Sequence, residues 1–261
     1  MNTEEVVVTT LDGRPMRAYV AWPDSTRALH PAVVLGELFG LNDVQRSAAD
    51  RVAAMGHVAI APDLLHRHVV DGPLPEDDDG RRRGLELAAT LTRIEVLSDV
   101  RDVLNAVRGR AEAADALPVA VGMSFGGHVA LLATACLQLP ACAVLYPGWL
   151  AGTDIAMSRP EPTGSLAPRI AASGGRVLVI TGDADAMVPR DDVAIVRRWF
   201  ATAGANLEVV TYPGVGHRFC AEGRPGYDAV AAADAWRRVG AHLGSDHAGH
   251  GAHERARASG A

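Results

Sequence analysis

Short apolar runs recur along the chain, and longer stretches with helical periodicity separate them. Several of these runs are almost unbroken by polar residues, which is typical of parallel strands covered on both faces. They lie at 32–37, 57–62, 119–124, 141–147, 176–182 and 207–213. Between them, the pattern predicts helices at about 43–55, 81–108, 127–138, 190–203 and 227–243. The alternation indicates an α/β fold with a doubly wound, mostly parallel sheet and helices on both faces.

The N-terminal segment follows a different pattern. In "VVVTTLDGRPMRAYVAWP" (6–23), two apolar runs flank the turn at Asp12 and Gly13. This arrangement predicts an antiparallel β-hairpin at one edge of the sheet. With 261 residues, the chain is long enough for one large α/β domain and too short for two of ordinary size. We therefore predict a single domain over residues 1–243.

Two segments interrupt the alternation. Residues 63–84 contain prolines, an acidic run and an arginine run, which favours a solvated surface loop, with a loop or short lid over the site as the alternative. Residues 244–261 lack large apolar side chains and are predicted to be disordered. This tail contains His247, His250 and His253, but no other ligand cluster supports a metal site.

Charge and hydropathy narrow the class of protein. The 31 acidic and 25 basic residues give a formal net charge of -6, and their interspersion leaves no basic stripe for nucleic acid. The start, "MNTEEVVVTT", lacks the features of a signal peptide, and no apolar run reaches the roughly 18 residues of a membrane span. We predict a cytoplasmic protein, monomer or homodimer, without nucleic-acid or membrane partners.

A glycine-flanked serine stands where a predicted strand meets a predicted helix. Residues 122–126, "GMSFG", match the G-x-S-x-G pattern, in which a serine is held on a sharp turn. Gly122 and Gly126 suit such a turn because larger side chains would collide there. The helix start also directs free N–H groups at the site, where they can stabilise an oxyanion. Ser124 is therefore a candidate nucleophile.

A serine nucleophile needs a base and an acid, and both follow in the order Ser, Asp, His. Asp185 lies three residues past the strand predicted at 176–182, and His217 lies just past the last predicted strand. Both therefore reach the carboxyl edge of the sheet, where ligands of open parallel sheets bind. We predict His217 as general base and Asp185 as the acid that orients it, with Asp183 as the competing acid.

Four segments together resemble the motif regions of the dienelactone hydrolase family, a branch of the α/β-hydrolase fold. They are "GELFGL" (36–41), "GMSFGG" (122–127), "GDADAMVP" (182–189) and "GVGHRF" (214–219). The resemblance extends over about residues 5–243. It implies Asp185 rather than Asp183 as the acid, the backbone N–H groups of Leu38 and Phe125 as the oxyanion hole, and Glu37 as the family's glutamate near the nucleophile.

The chain departs from the family at the nucleophile and at the substrate carboxylate. Dienelactone hydrolases have a cysteine at the position of Ser124, and their glutamate helps to set the thiol's reactivity. A hydroxyl has a much higher pKa than a thiol, so Glu37 is instead expected to orient loops or substrate.

The family holds its substrate carboxylate with two arginines and a tyrosine. Arg81 stands at one arginine position, whereas Leu85 and Ala221 occupy the tyrosine position and the second arginine position. Arg218 and Arg224 lie near that second position. For Arg81, a solvated basic run is the favoured interpretation and a place in the site is the alternative.

The residues and the resemblance together predict a serine hydrolase that uses no cofactor or metal and cleaves a small-molecule carboxylic ester or lactone through an acyl-enzyme. One alternative keeps the same triad in an acyltransferase or cyclase. The other is a non-catalytic ligand-binding protein on this fold.

Overall fold

An eight-stranded sheet forms the centre of the computed structural model, which describes residues 1–68 and 72–244. The strands are β1 (Asn2–Thr9), β2 (Pro15–Trp22), β3 (His30–Leu35), β4 (His57–Pro62), β5 (Val119–Met123), β6 (Ala141–Leu145), β7 (Arg176–Gly182) and β8 (Asn206–Tyr212). Their order is β1-β2-β4-β3-β5-β6-β7-β8. The β1–β2 and β2–β4 pairs are antiparallel and the other pairs are parallel. The mostly parallel sheet and its N-terminal edge hairpin are therefore confirmed.

Helices cover both faces of this sheet. They are α1 (Asp43–Ala54), α2 (Asp78–Thr90), α3 (Arg93–Arg108), α4 (Phe125–Leu137), α5 (Ala167–Ser173), α6 (Arg190–Ala203) and α7 (Ala229–Gly244). Alternate strand residues point to opposite faces, so Val33 packs in one core with α2 to α6 while Val34 packs in the other with α1 and α7. Burial on both faces explains why the central strands are almost entirely apolar.

The long helix predicted at 81–108 is in fact two helices. At Leu91 the backbone turns to an extended conformation, with φ -65° and ψ 121°. Thr92 and Glu95 then form a capping box, in which each side chain accepts from the other residue's N–H. Apolar periodicity continues across the break, so the pattern hid it. The seven-residue α5 was not predicted, because it is too short to establish a period.

The solvated loop predicted at 63–84 is wrong for its second half. Helix α2 begins at Asp78, and the side chain of Asp77 accepts a hydrogen bond from Gly80 N–H at 2.8 Å. Residues 69–71 of this segment, and the tail at 245–261 for which disorder was predicted, lie outside the described residues. The single domain over 1–243 stays a prediction. In the described ranges, no helix is long and apolar enough to cross a membrane.

Candidate active site

Ser124 lies at the turn between β5 and α4, in a conformation that L-residues rarely adopt. Its φ is 51° and its ψ is -115°. A Cβ on Gly122 would lie 2.2 Å from the carbonyl oxygen of Gly126, and a Cβ on Gly126 would lie 2.2 Å from that of Leu35. Glycine is therefore needed at both positions. A strained serine between closely packed glycines is the geometry of a nucleophile elbow.

Two hydrogen bonds connect Ser124 through His217 to Asp185. Ser124 Oγ lies 3.0 Å from His217 Nε2, and His217 Nδ1 lies 2.7 Å from Asp185 Oδ2. Asp185 is buried, and its Oδ1 accepts from the N–H of Met187 at 2.8 Å. When Nδ1–H is donated to the carboxylate, Nε2 is left to accept the serine proton. The loops after β5, β7 and β8 thus bring the three side chains together.

The competing acid, Asp183, has other partners. Its Oδ1 accepts from the N–H of Gly214 at 2.6 Å, and its Oδ2 lies 2.9 Å from the Arg190 guanidinium. These contacts tie the end of β7 to the loop before His217 and to the start of α6. Of the two acids considered from the sequence, Asp185 is the one hydrogen-bonded to the imidazole.

The two backbone N–H groups expected to form an oxyanion hole belong to adjoining segments. Phe125 is the first residue of α4, so its N–H has no acceptor within the helix. Leu38 follows β3, which pairs with β5, and it lines the same cavity as Ser124. Gly126 N–H donates to Gly36 O at 2.9 Å and fastens the start of α4 to the turn that carries Leu38.

A cavity of about 310 Å³ opens beside Ser124 and His217. Its apolar lining includes Leu38, Phe39, Trp149, Met187 and Pro225. Its charged lining consists of Glu37, Glu76, Asp77, Asp78, Arg81 and Arg218. Residues 76–78 and 81, from the segment at 63–84, therefore form part of the cavity wall.

Arg81 is solvent-exposed, as its neighbours in the arginine run are, but it also lines this cavity. Its Nη2 lies 3.3 Å from Met187 Sδ across the cavity mouth. Its neighbours Arg82 and Arg83 point away and pair with Glu86 at 2.9 and 3.2 Å. The arginine run is thus divided by helical phase, because α2 turns Arg81 inward and the next two residues outward.

Four charged side chains form an ion-pair network at the cavity. Arg218 Nε donates to Glu37 Oε2 at 2.8 Å, and the Arg218 guanidinium also contacts Glu76. Arg224 Nε donates to the same Glu76 oxygen at 3.0 Å, while Asn42 Nδ2 donates to Glu76 Oε1 at 3.1 Å. Burial alone would raise the pKa of Glu76, but the hydrogen bonds from Arg218 and Arg224 hold this pKa below its ordinary value.

Glu76 and its bridging role escaped sequence reasoning. It lies in the acidic part of the 63–84 segment, and nothing in its local sequence distinguishes it from its acidic neighbours. Its partners, Arg218 and Arg224, are more than 140 residues away in the chain. The signal that could have found it is the pair of arginines beside His217, which require nearby carboxylates if they are not held by substrate.

Tyr146 packs edge-on against the imidazole of His217, with ring centroids 4.9 Å apart. Its side chain is fully buried, and burial together with the charge of Glu37 raises its pKa well above the ordinary value. The phenol is therefore neutral and contributes a fixed, apolar ring surface that limits movement of His217.

His128 of α4 supports the cavity from within the core. Its Nδ1 lies 3.1 Å from Gly148 O, and its Nε2 lies 2.8 Å from Thr163 Oγ1. Because Gly148 O can only accept, Nδ1 carries the proton and Nε2 accepts from the threonine. These bonds fix the loop that carries the cavity residues Gly148 and Trp149. Burial lowers the pKa of His128 to about 4.

This buried histidine predicts a loss of stability in mild acid. His128 has a pKa of 6.5 in the unfolded chain and about 4 in the folded protein. Between pH 6.5 and pH 4, its imidazole therefore binds a proton in the unfolded chain but not in the folded protein, and the free energy of unfolding falls as the pH falls. From pH 7 to pH 5 the contribution is about 2 kcal/mol. Urea denaturation at both pH values should show this fall, and His128→Gln should lessen it by that amount. An unchanged fall in the variant would contradict the assignment.

The fold and the arrangement of the site define an α/β hydrolase. The family model described as the dienelactone hydrolase family matches residues 16–245. The chain belongs to the dienelactone hydrolase family, which confirms the resemblance drawn from its four motifs. Its activity is accordingly that of an ester or lactone hydrolase, and the alternatives of a transferase, cyclase or ligand-binding protein are not favoured.

Individual relatives agree with this assignment. The "Putative carboxymethylenebutenolidase" of Salmonella typhimurium is 32% identical over 228 residues, which cover 87% of this chain and 82% of that protein. A crystal structure of a "Putative Dienelactone Hydrolase" from Klebsiella pneumoniae is 27% identical, with a TM-score of 0.82 over 93% of this chain and 98% of that one. The Pyrobaculum calidifontis esterase, 17% identical, shares the fold with a TM-score of 0.64 over 94% of this chain and 85% of that one.

Proposed function

We propose that the protein hydrolyses a carboxylic ester or lactone with Ser124 as nucleophile, His217 as general base and Asp185 as the acid that orients the histidine. The observation that carries the proposal is the chain of hydrogen bonds, 3.0 and 2.7 Å long, that opens on the cavity. Ser124 and His217 both line that cavity, so a bound carbonyl group can reach the hydroxyl.

In the first half of the reaction, Ser124 Oγ attacks the carbonyl carbon while its proton moves to His217 Nε2. The carbonyl π electrons move to the oxygen, and the N–H groups of Leu38 and Phe125 donate hydrogen bonds to the resulting oxyanion. Asp185 stabilises the imidazolium through Nδ1–H. The intermediate then collapses, the bond to the leaving oxygen breaks, and His217 gives its proton to that oxygen.

In the second half, water hydrolyses the acyl-enzyme. His217 Nε2 takes a proton from water, whose oxygen attacks the acyl carbon and forms a second oxyanion at the same N–H groups. When the bond to Ser124 Oγ breaks, His217 returns the proton to that oxygen. The carboxylic acid leaves and the site is restored without a cofactor or metal.

Glu37 organises the site and does not serve as its base. Its Oε2 is held by Arg218, the residue that follows His217, so the pair fixes the loop that carries the base. Glu37 is only 5% exposed, so water does not compete for its hydrogen bond with Arg218. Arg81 contributes to substrate binding at the cavity mouth.

A shared acyl-enzyme predicts that product partitioning does not depend on the leaving group. Phenyl acetate and 4-nitrophenyl acetate would both form acetyl-Ser124, so in dilute methanol they should give the same ratio of methyl acetate to acetate. The ratio is measured by proton NMR after full turnover, with enzyme-free mixtures as the control. A ratio that changes with the leaving group would refute the intermediate, and a requirement for an added acceptor would favour the acyltransferase.

A further inference from the structure

The charged side chains that line the cavity affect which esters can bind in it. Four carboxylates line it, from Glu37, Glu76, Asp77 and Asp78, against the two guanidinium groups of Arg81 and Arg218, so the formal charge of the lining is -2. The nearby Arg224 reduces the excess of negative charge but does not remove it. An anionic substrate therefore approaches an unfavourable potential.

The two arginines nearest the catalytic loop are already neutralised. Arg218 is held between Glu37 and Glu76, and Arg224 donates to Glu76. A substrate carboxylate that bound either guanidinium would have to share it with Glu37 or Glu76, whose negative charges already offset its positive charge. Glu76 is the side chain shared by both arginines, and its low pKa keeps it ionised.

Arg81 does not reverse this balance. Its guanidinium contacts the uncharged sulfur of Met187 at 3.3 Å, and the residue is exposed at the cavity mouth. Asp77 and Asp78 precede it in the same turn of α2 and line the same cavity. At an exposed position, their charges and solvent screen the single positive charge.

The remaining surface suits an uncharged, apolar group. Phe39, Trp149 and Met187 line the cavity together with Leu38 and Pro225. Aromatic and thioether side chains bind flat apolar groups through burial and dispersion, with no need for a charged partner. The cavity volume of about 310 Å³ is that of a small-molecule site.

Building on the proposed hydrolysis, we propose that this site takes uncharged esters or lactones in preference to those bearing a carboxylate, and that Glu76 sets the preference by occupying Arg218 and Arg224. Glu76 is thus a specificity-determining residue that acts through the two arginines. This chain has Ala221 at the family's second arginine position, and the two arginines near it, Arg218 and Arg224, both pair with Glu76.

Two aryl acetates that differ in charge test the preference. Methyl 4-acetoxybenzoate and 4-acetoxybenzoate have the same acetyl group and ring, and each rate is divided by that of the hydroxide reaction to correct for leaving-group reactivity. We expect the wild-type kcat/KM for deacetylation to be roughly tenfold or more higher for the neutral compound, the size of effect expected from excess charge at intermediate dielectric. Equal values, or a preference for the carboxylate, would overturn the proposal.

The residue assignment is tested by Glu76→Gln, which keeps the side-chain shape and removes its charge. This change removes the charged partner of Arg224 and one of the two charged partners of Arg218. The preference for the neutral ester should therefore fall by roughly tenfold. Glu86→Gln is the matched control, because Glu86 lies on the adjacent helix α2 and pairs with Arg82 and Arg83 on its exposed face. A Glu76→Gln ratio that equals that of wild type and of the control would overturn the role of Glu76.

A measurement on the wild-type protein keeps the test independent of variant folding. Raising NaCl from about 20 mM to about 0.5 M screens charge repulsion, so kcat/KM should rise for the carboxylate compound and stay level for the neutral one. A fall for the carboxylate compound would indicate a binding cation and overturn the proposal. Turnover that persists in Ser124→Ala would instead refute the hydrolytic mechanism, whereas Ser124-dependent turnover favouring the carboxylate would refute only this inference.

Discussion

Replacement of Ser124 by alanine is expected to lower kcat on a good ester substrate by about 10⁴-fold or more, with the fold intact. The change removes the oxygen that forms the acyl-enzyme but leaves Cβ, so the glycine-lined turn keeps its packing. The hydroxyl has one hydrogen bond to a side chain in the described residues, to His217, and its loss is a small structural change. Steady-state kinetics give the rate, and thermal unfolding checks the fold.

The matched comparison is Ser124→Cys, which keeps a nucleophile at the same atom position. Its turnover of activated aryl esters should lie between those of wild type and alanine, because a thiolate attacks well but Sγ is larger than Oγ. If the alanine variant kept most of the wild-type rate, Ser124 would not be the nucleophile. If cysteine and alanine were equally inactive and folded, the test would point to geometry that excludes a larger atom.

Replacement of Asp185 by asparagine should lower kcat by about 10⁴-fold while conserving side-chain volume. An asparagine NH₂ would donate to His217 Nδ1, so the ring proton would move to Nε2 and face Ser124 Oγ as a donor. His217 could then no longer accept the serine proton. The measurement is kcat at neutral pH with the same ester, supported by a spectroscopic check of folding.

Asp183→Asn is the matched control for this prediction, because it makes the same chemical change two residues away. Asp183 binds Gly214 N–H and Arg190, not the imidazole. Its substitution should lower kcat by less than about tenfold, through looser support of the loop before His217. A larger loss in the Asp183 variant than in the Asp185 variant would reverse the assignment of the acid.

The central sheet was predictable because its signal is local. Each central parallel strand is a short apolar run, and burial on both faces imposes that composition directly. The candidates Ser124, Asp185 and His217 could be selected because each follows a predicted strand, and the sheet brings those strand ends together. The hairpin was marked by its Asp12–Gly13 turn.

The features that the sequence did not predict depend on interactions between distant parts of the chain or on the phase of a helix. The break at Leu91 interrupts no apolar period, and the inward position of Arg81 follows from where α2 begins, at Asp78. Glu76 meets Arg218 and Arg224 only because a connecting segment folds against the loop after β8. From composition, such a segment is predicted to be solvated and acidic, and composition cannot specify which of its acids pairs with distant arginines.

The family resemblance predicted positions better than it predicted interactions. Glu37 lines the cavity near Ser124, as the resemblance implied, and Arg81 also lines it, which was the alternative to the favoured solvated run. The partner of Glu37, however, is Arg218, which lies three residues before Ala221 at the family's second arginine position. A compensating residue at a new position changes which charges are free, and that change bears on the substrate.

The most direct test of the account is to locate the covalent adduct formed by an active-site-directed fluorophosphonate. In the proposed mechanism His217 activates the hydroxyl of Ser124, so the reagent should modify the folded protein once, and peptide mass spectrometry should place the adduct on Ser124. Labelling should disappear in Ser124→Ala and in heat-unfolded protein. An active, folded protein that is not labelled at Ser124, or is labelled at another residue with loss of activity, would contradict the account.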